Sequence, residues 1–220
     1  MGARDKIQIV KPTSLFRYRS LAKDAVENEL SSIQNDYLWC SPFTELNDPM
    51  EGSYEASFRL KKLGHFLDVK AKIFDAKAAL RVCSFSETND NAVMWAHYAD
   101  QFKGICIEYD FERLLMLNGC FTRVVYNETP YRVSVHALTD NELARKILSH
   151  KSYKWLYERE WRFFQESVNG KCQLATRSIS CIYLGNKIPE AAKLKLDKLL
   201  SRKGIKHKVM DFGGYSIKFR

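Results

Sequence analysis

Short apolar segments with alternating side chains recur along the chain and are separated by stretches of helical spacing. Alternation at every second residue, with β-branched and aromatic residues, is typical of half-buried strands. About nine strands are expected by this criterion. They lie at 15–20, 37–40, 81–86, 104–110, 121–126, 160–164, 178–184, 206–211 and 215–219. The strands alternate irregularly with helices, which predicts an α+β fold with mixed, mainly antiparallel sheets and peripheral helices.

Helical spacing of apolar residues marks five or six helices between these strands. They are expected at 22–34, within 57–80 as one or two helices, at 92–100, 139–150 and 189–202, and 111–117 is expected to form a helical turn or two. Thr139 followed by Glu142 has the spacing of a helix-capping box. The length suits a single domain over 1–220, with a helical insertion at about 57–80 and a C-terminal helix plus hairpin at 189–220.

The segment 154–164 is too aromatic for an ordinary surface and too charged for a core. As a strand it would place Glu158, Glu160 and Arg162 on one face, with Tyr157 and Trp161 on the other. As a helix it would only pair Glu158 with Arg162 four residues on. Its aromatic residues favour a strand at least from Glu160 onward. The simplest interpretation of this segment is a half-buried strand whose charged face is solvated. A functional hypothesis has to explain the segment better than this.

Charge and cysteine content narrow the choice of partners. The net charge of +9 favours an anionic partner such as a nucleotide or nucleic acid, although the basic residues are scattered. Six cysteines show no metal-ligand spacing; Cys40, Cys83, Cys106 and Cys181 lie in apolar runs, as core residues do. No apolar run is long enough for a membrane span, and the first residues show no apolar signal region. We therefore expect a cytoplasmic protein with reduced thiols and no membrane partner.

Arginine, serine and glutamate occur in that order on three predicted strands. Arg17 or Arg19 lies on the first, Ser84 and Ser86 on a middle strand, and the Glu158 and Glu160 pair near a late one. An enzyme that cleaves the nicotinamide–ribose bond of NAD needs a cation for the phosphates and a hydroxyl group beside a glutamate. That glutamate stabilises the oxocarbenium-like transition state.

Aromatic residues after the serine strand complete this hypothesis. Trp95 and Tyr98 are placed to stack on nicotinamide. Glu160 is the predicted catalytic residue, and Glu158 is expected to orient an acceptor. No metal is predicted at this site, and NAD is the expected cofactor, consumed as a substrate.

Two other chemistries compete for the same part of the chain. Asp48, Glu51, Glu158 and Glu160 could hold a divalent metal for phosphodiester cleavage, with Lys151 or Lys154 assisting. His97 could act with a cysteine or serine, although a helical histidine among aromatics is more often a hydrogen-bonded core residue. A module that only binds nucleic acid or a protein partner is the non-enzymatic alternative.

Four groups of residues together resemble a bacterial and phage family catalogued as domain of unknown function 2971. The groups are 15–20; 38–42 with 46–52; 84–86 with 94–99 and 103–108; and 154–162. By analogy in the order of its elements, the chain is also similar to the ADP-ribosyltransferase fold. Phe85 departs from that pattern, since such transferases usually carry a small hydroxyl residue there, and the loop containing Asn47, Asp48 and Pro49 has no obvious counterpart.

The resemblance implies an NAD-dependent ADP-ribosyltransferase of a bacterial toxin or anti-phage defence system. Glu160 would carry the chemistry, and the acceptor would be a nucleic acid or a protein. Neither the acceptor, nor the choice between Arg17 and Arg19, nor the oligomeric state follows from the sequence.

Overall fold

A computed structural model describes residues 11–22, 25–134, 140–166 and 169–220. The strands are β1 Ser14–Arg19, β2 Tyr37–Trp39, β3 Ser41–Pro42, β4 Tyr54–Ala56, β5 Leu80–Ser86, β6 Ile105–Asp110, β7 Cys120–Arg123, β8 Val125–Asn127, β9 Tyr131–Val133, β10 His150–Ser152, β11 Glu160–Glu166, β12 Lys171–Gln173, β13 Ile179–Leu184, β14 Lys206–Gly213 and β15 Ser216–Phe219. The α-helices are α1 Ala25–Gln34, α2 Phe58–Lys61, α3 Phe66–Ala79, α4 Ala92–Tyr98, α5 Phe111–Leu114, α6 Asp140–Leu148 and α7 Glu190–Lys203. Two 3₁₀ helices span Phe43–Glu45 and Tyr153–Glu158.

One large sheet organises the described residues. Its strands follow the order β15-β14-β13-β6-β1-β5-β11-β7, and β3 also pairs with β5. Neighbours in this sheet are antiparallel except β13 and β14. Separate two-stranded pairs join β2 to β12, β4 to β9 and β8 to β10. The predicted α+β class with mainly antiparallel sheets is confirmed.

Both faces of the large sheet are buried, each by different helices. On one face, Leu15, Ile107 and Phe163 pack in the same cluster as α1 and α7 residues such as Ile33 and Leu196. A cluster containing Tyr18, Cys106 and Tyr183 packs with Met94 and Trp95 of α4. Because side chains alternate along a strand, consecutive residues of β1 serve the two cores.

The cysteines follow this division of the core. Cys40, Cys83, Cys106 and Cys181 are buried and unpaired, as the apolar context predicted, and so is Cys172. Within the described ranges, no helix combines the length and the apolar character that crossing a membrane requires.

A split in the large sheet lies between β1 and β5. β1 pairs with β6 over its whole length, from Ser14 to Arg19, but it meets β5 only where Phe16 lies opposite Ser86. Further along β5, β3 takes the place of β1, with Ser41 opposite Val82. The edge of β5 is therefore shared between two strands, and the sheet opens where they diverge.

One predicted strand differs from the structure, several short strands were not predicted, and one predicted capping residue cannot be compared. The predicted strand at 121–126 is two strands, because Val124 leaves the ladder, is buried, and donates its backbone N–H to the Glu160 carbonyl at 2.9 Å. The three-residue strands β4, β9, β10 and β12 were not predicted, because such short pieces carry no alternation to detect. The predicted capping residue Thr139 lies outside the described residues.

Gly104 sits where two backbones touch, before β6. A Cβ atom built there would lie 2.1 Å from the carbonyl oxygen of Arg19. We expect Gly104→Ala to lower the free energy of unfolding by about 3 kcal/mol, the upper end of the usual range for overpacking. Urea denaturation measures this change.

Gly64→Ala is the matched control for this substitution. A Cβ at Gly64 would meet nothing within 4 Å. The free energy of unfolding should then change by no more than about 0.5 kcal/mol. Equal effects of the two substitutions would contradict the close approach at Gly104.

Candidate active site

An open cleft lies at the split between β1 and β5. Its volume is about 200 Å³. The predicted residues that line it are Arg17, Arg19, Ser84, Ser86, Tyr98, Glu158 and Glu160. Trp95 does not line it; the indole is fully buried, packs edge-on against Tyr18 with ring centroids 5.4 Å apart, and donates to the Asn89 carbonyl. Of the two predicted stacking residues, only Tyr98 therefore faces the cleft.

The register between β5 and β11 brings the serines beside the charged residues. Glu160 lies opposite Ser86, and Arg162 lies opposite Ser84. Residues two apart on a strand share a face, so all four side chains belong to one face of the sheet. Ser84 donates a hydrogen bond to the Glu160 carboxylate.

Glu158 reaches the same place by a different route. It is the last residue of the 3₁₀ helix Tyr153–Glu158, and Arg159 then takes the left-handed conformation with φ 45° before β11 begins. The hydroxyl of Ser86 donates to the Glu158 carbonyl at 2.7 Å and fixes its backbone. The strand expected from Glu160 onward is present, but Glu158 is outside it.

Arg162 is the centre of a buried ionic cluster. Arg162 is 1% exposed. Its guanidinium donates two hydrogen bonds to the Glu160 carboxylate, from Nε to Oε1 at 2.8 Å and from Nη2 to Oε2 at 2.9 Å. It also holds Glu51 through Nη1 at 2.5 Å and Nη2 at 3.0 Å, and donates to the Leu148 carbonyl. Two bidentate pairs on one guanidinium leave both carboxylates with little freedom.

Lys151, from β10, connects this cluster to Glu158. Its ammonium lies 2.6 Å from Oε2 of Glu158 and 3.3 Å from Oε2 of Glu160. The other oxygen of Glu158 accepts a hydrogen bond of 2.5 Å from the Tyr98 hydroxyl. Three carboxylates thus share two cations, so the fully ionised cluster carries one surplus negative charge.

The surplus charge is reflected in the acid–base properties of the two predicted glutamates. Burial and the nearby charge of Glu160 raise the pKa of Glu158, and Lys151 only partly offsets them. Burial would also raise the pKa of Glu160, but Arg162 and Lys151 outweigh it and lower that pKa to about 2. Glu160 is therefore held as an ionised carboxylate by its two cations, whereas the charge of Glu158 is the least compensated.

The loop between β3 and β4 forms one wall of the cleft and is itself fixed. Asp48 is buried and accepts from the Met50 N–H, and Lys77 of α3 donates to the Gly52 carbonyl at 3.0 Å. This anchoring holds Glu51 against Arg162. It also places the amide of Asn47 3.4 Å from the Tyr98 hydroxyl.

The two arginines of β1 differ in how their charge is compensated. Arg19 forms an ion pair with the buried Glu29. Arg17 donates to the Trp39 carbonyl at 2.9 Å, and within the described ranges it forms no ion pair. Of the two arginines, Arg17 is therefore the one without a carboxylate in direct contact among the described residues.

The alternative chemistries fare differently in this geometry. His97 is exposed rather than buried, and its ring contacts Tyr157 and Tyr98 rather than a cysteine or a serine. Glu51 and Glu160 are both paired with Arg162, which competes with any divalent cation for their oxygens. Among the residues that the structure describes, no cluster of three metal-ligating side chains is arranged to hold an ion.

The sequence alone did not indicate how these side chains pair. Glu51 and Lys151 appeared in it only as possible members of a metal site. Their pairing with Arg162 and Glu158 depends on contacts across the fold, and Glu51 is 111 residues from Arg162. The sequence contained one indication of this pairing: charged residues stand at every second position from 158 to 162, among aromatic residues, so a charged side chain there would need a buried partner.

The fold and the site define an α+β protein with a buried ionic cluster at the base of an open cleft. A family model described as "Protein of unknown function (DUF2971)" matches residues 94–163, or 70 of the 220 residues. The matched part includes Tyr98, Lys151, Glu158, Glu160 and Arg162. It supports the resemblance to that family seen in the sequence. Comparisons with curated proteins and with solved structures gave no match.

Replacing Arg162 should be severely destabilising. Arg162→Met leaves Glu51 and Glu160 buried without their cation, and breaking a buried pair from one side costs about 3–5 kcal/mol. Urea denaturation at neutral pH measures the loss. Lys195→Met removes an ion pair to Glu27 in which both side chains are largely exposed, and we expect a change below about 1 kcal/mol. A similar loss in both variants would contradict the importance of the buried cluster.

The low pKa of Glu160 predicts a specific acid sensitivity. The folded-state pKa of about 2 lies below the unfolded value of about 4.3, so ionisation of Glu160 stabilises the fold above pH 4.3. This stabilisation, on the order of 3 kcal/mol, should disappear as pH falls from 4.3 towards 2. Unfolding free energies at several pH values should show a shallower acid loss in Glu160→Gln than in the wild type. The control Glu27→Gln should keep the wild-type slope.

Proposed function

We propose that this protein cleaves NAD and transfers ADP-ribose, as an ADP-ribosyltransferase-type enzyme. One observation carries the proposal: Arg17, Ser84 and the two glutamates, predicted on three separate strands, line one cleft. The three strands β1, β5 and β11 are neighbours in the sheet. A merely solvated charged face would leave Glu158 and Glu160 exposed, yet both are buried.

The proposed chemistry requires a carboxylate that is not already neutralised. Cleavage of the nicotinamide–ribose bond develops positive charge on the ribose, and a nearby carboxylate stabilises that charge. Glu160 is held by Arg162, Lys151 and Ser84, so little of its charge remains available. Glu158 carries the least compensated charge of the cluster. We therefore assign the stabilising carboxylate to Glu158.

This assignment exchanges the roles that the sequence suggested for the two glutamates. Glu160 becomes the positioning residue, because it holds Lys151 and Arg162 in place behind Glu158. The Tyr98 hydroxyl orients Glu158 from the other side at 2.5 Å. Because Lys151 and Tyr98 both hold the Glu158 carboxylate, it is already in its reactive orientation before NAD binds.

The remaining residues suit the rest of the NAD molecule. The cleft of about 200 Å³ is smaller than the roughly 300–1,000 Å³ of typical ligand pockets, so it accommodates the nicotinamide end. The Tyr98 ring lies at this end and can pack against nicotinamide. The phosphates would lie towards the open mouth, near Arg17. From the resemblance we further propose a role as a bacterial toxin or anti-phage defence effector.

Incubation with NAD labelled in the nicotinamide ring tests the proposal. The wild type should release nicotinamide, and Glu158→Gln should lower kcat by roughly 10²–10³-fold. Its thermal stability should change little, because Lys151 keeps Glu160 as a partner and the cluster becomes neutral overall. Glu160→Gln should lower both kcat and the melting temperature. Glu45→Gln is the matched control, since Glu45 is an exposed carboxylate that lines the same cleft.

Two outcomes would contradict this proposal. One is the absence of nicotinamide release by the wild type in the presence of protein and nucleic-acid acceptors. The other is full activity of both Glu158→Gln and Glu160→Gln. If only Glu160→Gln loses turnover while its stability is unchanged, the original assignment of the two glutamates is correct.

A further inference from the structure

Four aromatic rings form a continuous row that ends at the candidate catalytic glutamate. We call Trp155, Tyr157, His97 and Tyr98 the aromatic row. Their ring centroids are separated by 6.0 Å, 6.3 Å and 6.1 Å in that order. Tyr98 then donates to the carboxylate of Glu158. The row therefore leads from the surface to the reacting group.

Packing of the fold does not account for two rings of this row, those of His97 and Trp155. His97 is exposed, Trp155 is only partly buried, and among the described residues neither belongs to a buried apolar cluster, whereas Tyr157 packs against the cluster that contains Trp95. Trp155 also lies under the ammonium of Lys151, 4.8 Å from the ring centroid. The same lysine binds Glu158, so the outer ring is joined to the cleft by a second path.

Cationic side chains flank the row in sequence. Lys154 and Arg159 are exposed, and within the described part of the chain neither side chain forms an ion pair. Arg159 occupies a left-handed backbone position that glycine would adopt more readily. The arrangement combines flat aromatic rings with uncompensated positive charge, on a chain whose net charge is +9.

We propose that the outer three rings of the aromatic row, Trp155, Tyr157 and His97, form the acceptor subsite beside Tyr98, and that the acceptor is a base in single-stranded nucleic acid. This inference rests on the proposed function and names its second substrate. Successive unpaired bases stack on aromatic side chains while basic residues contact the phosphates. A base within a duplex cannot reach such rings without being extruded.

The transfer follows directly from this placement. The bond between ribose C1′ and nicotinamide breaks, and its electron pair leaves with neutral nicotinamide. A nitrogen or oxygen of the stacked base attacks C1′ and forms the new glycosidic bond. The proton that this atom loses passes to the Glu158 carboxylate and then to water.

Binding of a fluorescein-labelled oligonucleotide, measured by anisotropy in the absence of NAD, tests the subsite. A mixed-sequence single strand of about 12 nucleotides, as DNA and as RNA, is compared with its duplex. At least one single strand should bind about tenfold more tightly than the duplex. Trp155→Ala and His97→Ala should each weaken that binding roughly tenfold. Lys154→Gln should reduce the salt-dependence slope by about 0.7.

Control variants separate stacking from loss of structure. Trp155→Phe keeps a ring and should retain most of the affinity, with an unchanged melting temperature. Tyr215→Ala removes a fully exposed aromatic from the turn between β14 and β15 and should bind like the wild type. Equal affinity of Trp155→Ala and Tyr215→Ala, or a preference for duplex, would overturn the subsite.

The assay also distinguishes failure of this inference from failure of the proposed function. Nicotinamide release without single-strand binding, or transfer of ADP-ribose to protein alone, overturns the acceptor and leaves NAD cleavage standing. Single-strand binding that depends on the aromatic row, without any NAD cleavage, overturns the enzyme and supports a site that binds nucleic acid.

Discussion

A guanidinium removed from water must find its compensating charge within the protein, and Arg162 does so in a way that determines the shape of the cleft. Its partners come from the loop before β4, from the end of α6 and from its own strand. An unpaired ion at this depth would be strongly unfavourable, so these three pieces of chain have to meet. Helix α3 contributes indirectly, since its Lys77 fixes the loop that presents Glu51.

The same constraint divides the cluster into a rigid and a responsive part. Arg162 and Glu160 satisfy each other through parallel hydrogen bonds, whereas Glu158 shares Lys151 and relies on Tyr98. The negative charge of Glu158, which the cluster does not fully balance, is therefore available to a ligand that develops positive charge. Specificity in such a site would then depend on where Glu158 is held more than on the number of acidic residues nearby.

Local pattern was sufficient to predict the strands that carry Arg17, Ser84 and Glu160, because alternation and aromatic content are properties of a few consecutive residues. It could not predict that β1, β5 and β11 are neighbours with Ser86 opposite Glu160, which depends on pairing across the chain. The burial of Trp95 was missed for a similar reason: a helix near a cleft can turn an aromatic side chain towards either the core or the opening. The break at Val124 depends on a single bond to the Glu160 carbonyl.

The shared edge of β5 has a mechanical consequence. β1 pairs with β6 along its whole length but meets β5 at a single position, so few backbone hydrogen bonds join the two parts of the sheet there. Arg17 belongs to one part, and Ser84 and Glu160 belong to the other. The two parts are held together by the core beneath them, since Leu15 of β1, Phe85 of β5 and Phe163 of β11 pack in one cluster. The width of the cleft is thus set by side-chain packing across the split rather than by strand pairing.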